Sequence, residues 1–227
     1  MPPHLRAQAA GYLEDPSAIV RGNRVRLLRN GREVFPAWLT AIGEAKRRIS
    51  MEMYIFASDT IGHRFGEALK AAALRGVEVR LLYDFIGCRD TSPKFFADLR
   101  AAGVRTVTYH AYRFWRPNFW RLFRRNHRKT LVVDGALAFT GDINIADEWV
   151  PLEDGGGDWR DAAIELVGPA AREIENAFLA TFNKRASKRF RLPPQQLPSI
   201  DEAGNVAVAI IANTEEVLTA LWHVYCT

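Results

Sequence analysis

Apolar positions along this chain recur with two periods, and the alternation between them sketches the fold. Residues 26–28 read as a short strand, closed by the turn pair Asn30 and Gly31. From 33 to 48 the apolar residues Val34, Trp38, Ile42 and Ala45 return every three or four positions, which is one face of an amphipathic helix. Apolar and aromatic residues dominate 50–56 and predict a strand. An Ala-rich helix over 65–74 stops at Gly76, and 77–83 (VEVRLLY) predicts a further strand. A helix over 93–102 ends at Gly103, and 104–109 is the next strand. Strands alternating with helices at this spacing imply parallel strands with helical crossovers, hence an α/β sandwich.

The rhythm then changes. Residues 113–129 (RFWRPNFWRLFRRNHRK) interleave arginines with Phe114, Trp115, Phe119, Trp120 and Phe123, and no acidic residue occurs between Asp98 and Asp134. Apolar strands at 129–133 and 136–140 flank Asp134 and Gly135, a strong hairpin signal. A Gly-rich acidic loop (LEDGGGDWRD) precedes a strand near 162–167 and a helix over 169–182. Residues 184–199 are basic, hold three prolines and lack apolar periodicity, so they read as linker. Beyond them lies a partial repeat. Val25, Leu27, Leu28, Asn30, Gly31, Glu33, Val34 and Ala37 match Val208, Ile210, Ile211, Asn213, Thr214, Glu216, Val217 and Ala220 at one constant offset. The organisation expected is an N-terminal extension (1–23), one α/β domain (24–183), a linker (184–204) and the start of a truncated second copy (205–227).

Composition narrows the partners. The 227 residues are 48% hydrophobic and 25% charged, which is globular composition. Two cysteines, Cys88 and Cys226, show no metal-ligand spacing and predict a reduced compartment. No apolar run approaches the roughly 20 residues that span a bilayer, and the first ten residues do not read as a signal peptide. A net charge of +5 and a pI near 9.4 favour anionic partners.

The chemistry is concentrated in 127–144. Side chains at i and i+2 of a strand share a face, so His127 and Lys129 point the same way. A lysine can neutralise a non-bridging phosphate oxygen through charge-assisted hydrogen bonds, and an imidazole can attack or protonate at neutral pH. Asn144 adds a neutral donor for the histidine or the phosphate. H-x-K-x4-D arises by chance in roughly one chain of this size in a hundred, and Gly141 and Asn144 at fixed distances lower that much further. The other histidines, His4, His63, His110 and His223, lack the lysine and aspartate and read as surface or packing residues. Glu153, Asp154 and Asp158 match no defined metal loop and read as a solvated turn.

His127, Lys129, Asp134, Gly141 and Asn144, set in a strand-turn-strand hairpin, resemble the HKD signature of the phospholipase D superfamily. RRNHRKTLVVDGALAFTGDINIADEW, with YIFASDTIGHRFGEALKAAALRGVEVRLLYD upstream, is similar to the bacterial cardiolipin synthase branch over about 24–183. Asp142 departs from the pattern, which usually has Gly or Ser there. The resemblance implies a phospholipase D-like sandwich with helices on both faces of a mostly parallel or mixed sheet. It implies metal-independent, cofactor-free phosphatidyl transfer through a phosphohistidine, shared between two facing motifs. His127, Lys129 and Asp134 are then the catalytic candidates, and Asn144, Arg128 and Gly141 the substrate-contacting ones. This chain carries one such motif, so activity is expected to need a second half, either a homodimer partner or a separate chain. Arg113, Trp115, Arg116, Trp120, Arg121, Arg124 and Arg125 suit a membrane surface of anionic phospholipid, with nucleic acid the less favoured partner and simple packing a third reading. The location implied is cytoplasmic, peripheral on the bacterial inner membrane. The alternatives are a single-motif phosphodiesterase or nuclease active as a homodimer, and a silent lipid-binding remnant.

Overall fold

The computed structural model describes residues 19–109, 125–187 and 200–212. The chain runs β1 (Ile19–Arg29), α1 (Asn30–Glu44), β2 (Arg48–Met53), α2 (Thr60–Leu74), β3 (Glu78–Asp84), α3 (Pro93–Ala101), β4 (Arg105–Tyr109), β5 (Thr130–Val133), β6 (Leu137–Gly141), β7 (Ala162–Val167), α4 (Ala171–Arg185) and β8 (Val206–Ala209). The strands form one mixed sheet in the order β4-β3-β2-β5-β6-β7-β1-β8. Helical crossovers make β2, β3 and β4 parallel, while a tight turn joins β5 to β6 and the longer 142–161 loop returns β7 antiparallel beside β6.

Helices cover both faces, as expected. On one, Trp38 and Ile42 of α1 and Phe65 and Leu69 of α2 bury against Ile49, Met51, Leu81, Leu131 and Phe139. Edge-on aromatic contacts join the elements, with ring centroids 5.6 Å apart for Phe35 and Phe65 and 6.2 Å for Trp38 and Phe65. On the other face α4 sets Phe178 and Phe182 against Leu82 and Val107, and Ile174 against Val132, Ala138 and Leu166. Beneath α4 the sheet is polar in part. Arg48 donates to Glu175 through Nε (2.6 Å) and Nη2 (2.7 Å), a buried bidentate pair tying β2 to α4. Arg80, in the apolar-looking VEVRLLY run, is fully buried.

Several boundaries differ from the sequence reading, β1 among them, which begins at Ile19 inside the expected N-terminal extension. Asn30 and Gly31 open α1 instead of making a turn: Asn30 N–H donates to Asp161 O at 2.8 Å, and a Cβ on Gly31 would come within 2.0 Å of Trp149 O. α2 begins five residues early, because Asp59 accepts from Gly62 N (2.8 Å) and Asp147 N (2.7 Å) while Asp147 accepts from Ile61 N (2.9 Å). That reciprocal cap fastens the 142–149 loop to the helix. α4 runs to Arg185, two residues into the expected linker.

β8 lies antiparallel to the outer side of β1. Asn23 stands opposite Val206, and its Nδ2 donates to Val206 O at 3.2 Å across a sequence separation of 183, the offset that relates Val25 to Val208. An antiparallel pair has a local two-fold, and here it falls where Asn23 meets Val206; away from it the register separates the repeat positions, so that Val208 stands opposite Val20 and not Val25.

Candidate active site

The site forms where the segment before β5 meets the loop after β6. His127 is exposed at the lip of an open cleft of about 420 Å³, lined by Tyr54, Ile55, His127, Lys129, Asp142, Asn144, Trp149, Trp159 and Asp161. Lys129 is 1% exposed. Its Nζ stands 2.9 Å from His127 Nδ1 and 3.1 Å from Nε2. Tyr54 flanks both: its ring centroid is 4.5 Å from the imidazole and 5.5 Å from Nζ. The face-sharing of His127 and Lys129 read from the sequence is thus present.

Electrostatics prepare the pair for an anion. Partial burial, then the Lys129 ammonium, hold the His127 pKa below the ordinary 6.5, against the opposite pull of Asp142 and Asp84. The imidazole is consequently neutral at pH 7, with a lone pair available. Burial lowers the Lys129 pKa too, while Asp142 and Asp161 raise it. Asn144 is buried and its Oδ1 accepts from Ile55 N at 3.1 Å, which orients the amide toward the cleft wall. An imidazole, an ammonium and an amide in one cleft can bind a phosphoryl group and attack it.

Other expected site residues lie elsewhere. Asp134 sits at the far end of β5, where its carboxylate accepts from the backbone N–H groups of Lys46 (2.9 Å), Arg47 (2.8 Å) and Arg48 (2.9 Å). It holds the hairpin and does not line the cleft. Arg128 follows the strand alternation to the opposite face, donating to Thr181 Oγ1 and to Ala177 O (3.5 Å) on α4. Gly141 serves packing, since a Cβ there would come within 2.2 Å of Ala162 O on β7. Arg125 pairs with buried Asp84 at 3.4 Å instead of facing solvent. Arg113, Trp115, Arg116, Trp120, Arg121 and Arg124 lie outside the described residues.

The sequence reading missed the second wall. Asp161 Oδ2 accepts from Trp149 Nε1 at 2.7 Å, and the rings of Trp149 and Trp159 meet edge-on at 5.3 Å. The WRD triplet that ends the acidic loop was the available signal. Among the described residues no group of three or more His, Cys, Asp or Glu could hold a metal ion, and no helix is long and apolar enough to cross a membrane.

Asp142 enters the same cleft, its side chain 75% exposed and Oδ1 4.0 Å from Lys129 Nζ. A carboxylate there competes with a bound phosphate for the ammonium. Asp142→Ser is expected to tighten inorganic phosphate roughly fivefold by calorimetric titration, the size of the ~1 kcal/mol that an exposed pair contributes. Unchanged affinity would mean that solvent screens Asp142 completely.

Comparison with known proteins bears on the same residues. The family model described as "Cardiolipin synthase, PLD-like domain" matches residues 38–152. The chain is 34% identical over 203 residues to the major cardiolipin synthase ClsA of Bacillus subtilis, covering 88% of this chain and 42% of that one. It is 32% identical to the cardiolipin synthase of Oceanobacillus iheyensis, covering 89% and 42%. The chain therefore spans less than half the length of these relatives. Among solved structures, the phospholipase D family member Nuc of Salmonella typhimurium superposes with a TM-score of 0.55 at 20% identity, covering 72% of this chain and 97% of that one. NucT of Helicobacter pylori gives 0.55 at 12% identity, covering 73% and 99%. At such identities these two likenesses speak for the fold.

Proposed function

Because the chain belongs to the cardiolipin synthase family of phospholipase D-like domains, we propose that it is one catalytic half of a phosphatidyltransferase working at a phospholipid surface. The observation that carries this reading is the exposed His127 imidazole with Lys129 Nζ about 3 Å from its ring nitrogens in an open cleft. His127 attacks the phosphorus of a phospholipid, and the P–O bond to the departing alcohol breaks. The phosphatidyl group is left on the imidazole, and an incoming lipid hydroxyl then takes it. Lys129 and Asn144 hold the non-bridging oxygens, whose charge is greatest in the trigonal-bipyramidal transition state.

One requirement is unmet by His127 itself. The departing alkoxide needs a proton, and the incoming alcohol must lose one, from a group on the opposite side of phosphorus. A second motif facing this one across a two-fold axis supplies it. The β1–β8 pairing supports this arrangement, because Asn23 and Val206, separated by the same offset as the repeat, meet on such an axis. The substrates are anionic phospholipids, met from the cytoplasmic face of the inner membrane.

The chain alone, kept monomeric as verified by sedimentation, is expected to show no transphosphatidylation on phosphatidylglycerol vesicles. Supplying a second motif-bearing half is expected to restore it. Turnover by the monomer would overturn the two-half reading. The single H-x-K-x4-D motif in the 227 residues also suits a homodimeric phosphodiesterase. That alternative is recognised by DNA hydrolysis without added metal and by a dimer that buries the His127 face.

A further inference from the structure

The residues on either side of His127 are held by a buried polar cluster that the transfer chemistry leaves unused. Glu52, on β2, is 1% exposed. Its Oε1 accepts from Asn126 Nδ2 and lies 3.0 Å from Arg128 Nη2. Oε2 has no hydrogen-bond partner among the described residues. Asn126 links the rest: its backbone N–H donates to Asp84 Oδ2 (3.1 Å), and its Oδ1 accepts from Arg128 N (3.4 Å) and Nε (3.3 Å). Arg128 then crosses to Thr181 and Ala177 of α4. Both neighbours of His127 are thereby tied to β2, β3 and α4 on one face of the sheet, while His127 projects from the other face and is itself exposed. Its only side-chain hydrogen-bond partner among the described residues is Lys129. The position of the imidazole therefore follows from how its neighbours are anchored.

We infer that Glu52 is a positioning residue for His127, its carboxylate fixing Asn126 and Arg128 so that the imidazole stands at the correct height over Lys129. The inference rests on His127 being the reacting group, as argued above. The carboxylate sees charge from every side: Arg128 and Asn126 on its own approach, Asp84 with Arg125 at the end of β3, Arg80 farther along β3, and the Arg48–Glu175 pair between β2 and α4. Desolvation dominates, pushing its pKa up to about 7 against the lowering pull of Arg128 and Asn126. Glu52 accordingly ionises as pH rises through neutrality. The Glu52–Arg128 ion pair, and with it the anchoring of His127, strengthens over the same range.

The test needs no turnover. Glu52→Gln keeps the size and an acceptor oxygen for Asn126, and near-native near-UV circular dichroism is its folding control. The imidazole resonance of His127, assigned by its loss in His127→Gln, is followed by NMR from pH 5 to 9. The parent is expected to show an inflection near 7 in addition to the imidazole's own below 6.5, and Glu52→Gln to lack it. Inorganic phosphate is expected to bind the variant about tenfold more weakly. An inflection near 7 that survives in Glu52→Gln, or phosphate affinity equal to the parent's, would overturn the positioning role. A parent that binds no phosphate at all would count against the transferase reading instead. In that case, loss of the inflection in the variant would still support the coupling of Glu52 to His127.

Discussion

Replacing His127 with glutamine is expected to lower phosphatidyl transfer by the two-half enzyme by at least about 10³-fold while leaving the melting temperature nearly unchanged. The side chain is exposed and its only hydrogen-bond partner among the described residues is Lys129, so its loss removes little packing. Its chemistry has no substitute among the described residues, because the other imidazole described, His63 on α2, meets Phe95 of α3 edge-on and does not line the cleft. The pH profile carries the same signature. Burial and the Lys129 ammonium hold the His127 pKa below its ordinary value, so the neutral imidazole that the proposed attack requires is favoured at pH 7 and transfer is expected to fall as the pH is lowered. Turnover of a labelled phospholipid in vesicles, read with thermal unfolding of the same samples, separates the two effects. A large drop in melting temperature would assign His127 a structural role instead.

Asp134→Ala is expected to do the reverse. Three backbone N–H groups at the start of β2 donate to this carboxylate at 2.8–2.9 Å, and Asp134 N donates to Arg48 O at 2.9 Å. The residue also holds a left-handed backbone (φ 53°), which alanine tolerates less well than aspartate. Hydrogen bonds to a charged group contribute about 1.5–3 kcal/mol each and are not additive. A loss of roughly 4 kcal/mol follows, or about 8–16 °C in melting temperature for a domain of this size. The folded fraction is expected to retain phosphate binding and most of its turnover, since the cleft does not contain Asp134. Complete loss of turnover at full stability would restore Asp134 to the reaction itself.

These two residues show where the sequence was legible. Period and turn chemistry located the β2-α2-β3-α3-β4 run and the hairpin, because helix and strand periods differ and Asp-Gly tolerates left-handed backbone at both positions. The i, i+2 rule brought His127 and Lys129 together. The same rule turned Arg128 away, so its nomination as a substrate contact set motif membership above strand geometry. What stayed hidden depends on contacts distant in sequence. β1 extends to eleven residues because β7 and β8 give it ladder partners more than 130 residues away. Asp161 reaches the cleft only because β7 lies beside β6, and the acidic stretch before it resembled a solvated turn. Glu52 stood in an apolar-looking strand, and nothing in its neighbours announced that Asn126 and Arg128, more than 70 residues on, would close over it.

The central claim is that the His127 imidazole takes the phosphorus. The two-half enzyme should be mixed with a phospholipid labelled in its phosphate, denatured within the first turnover at alkaline pH, digested and mapped by mass spectrometry. The account predicts an acid-labile phosphatidyl adduct on the peptide containing His127, absent from His127→Gln. Turnover with the label on another residue, or persisting undiminished in His127→Gln, would contradict it.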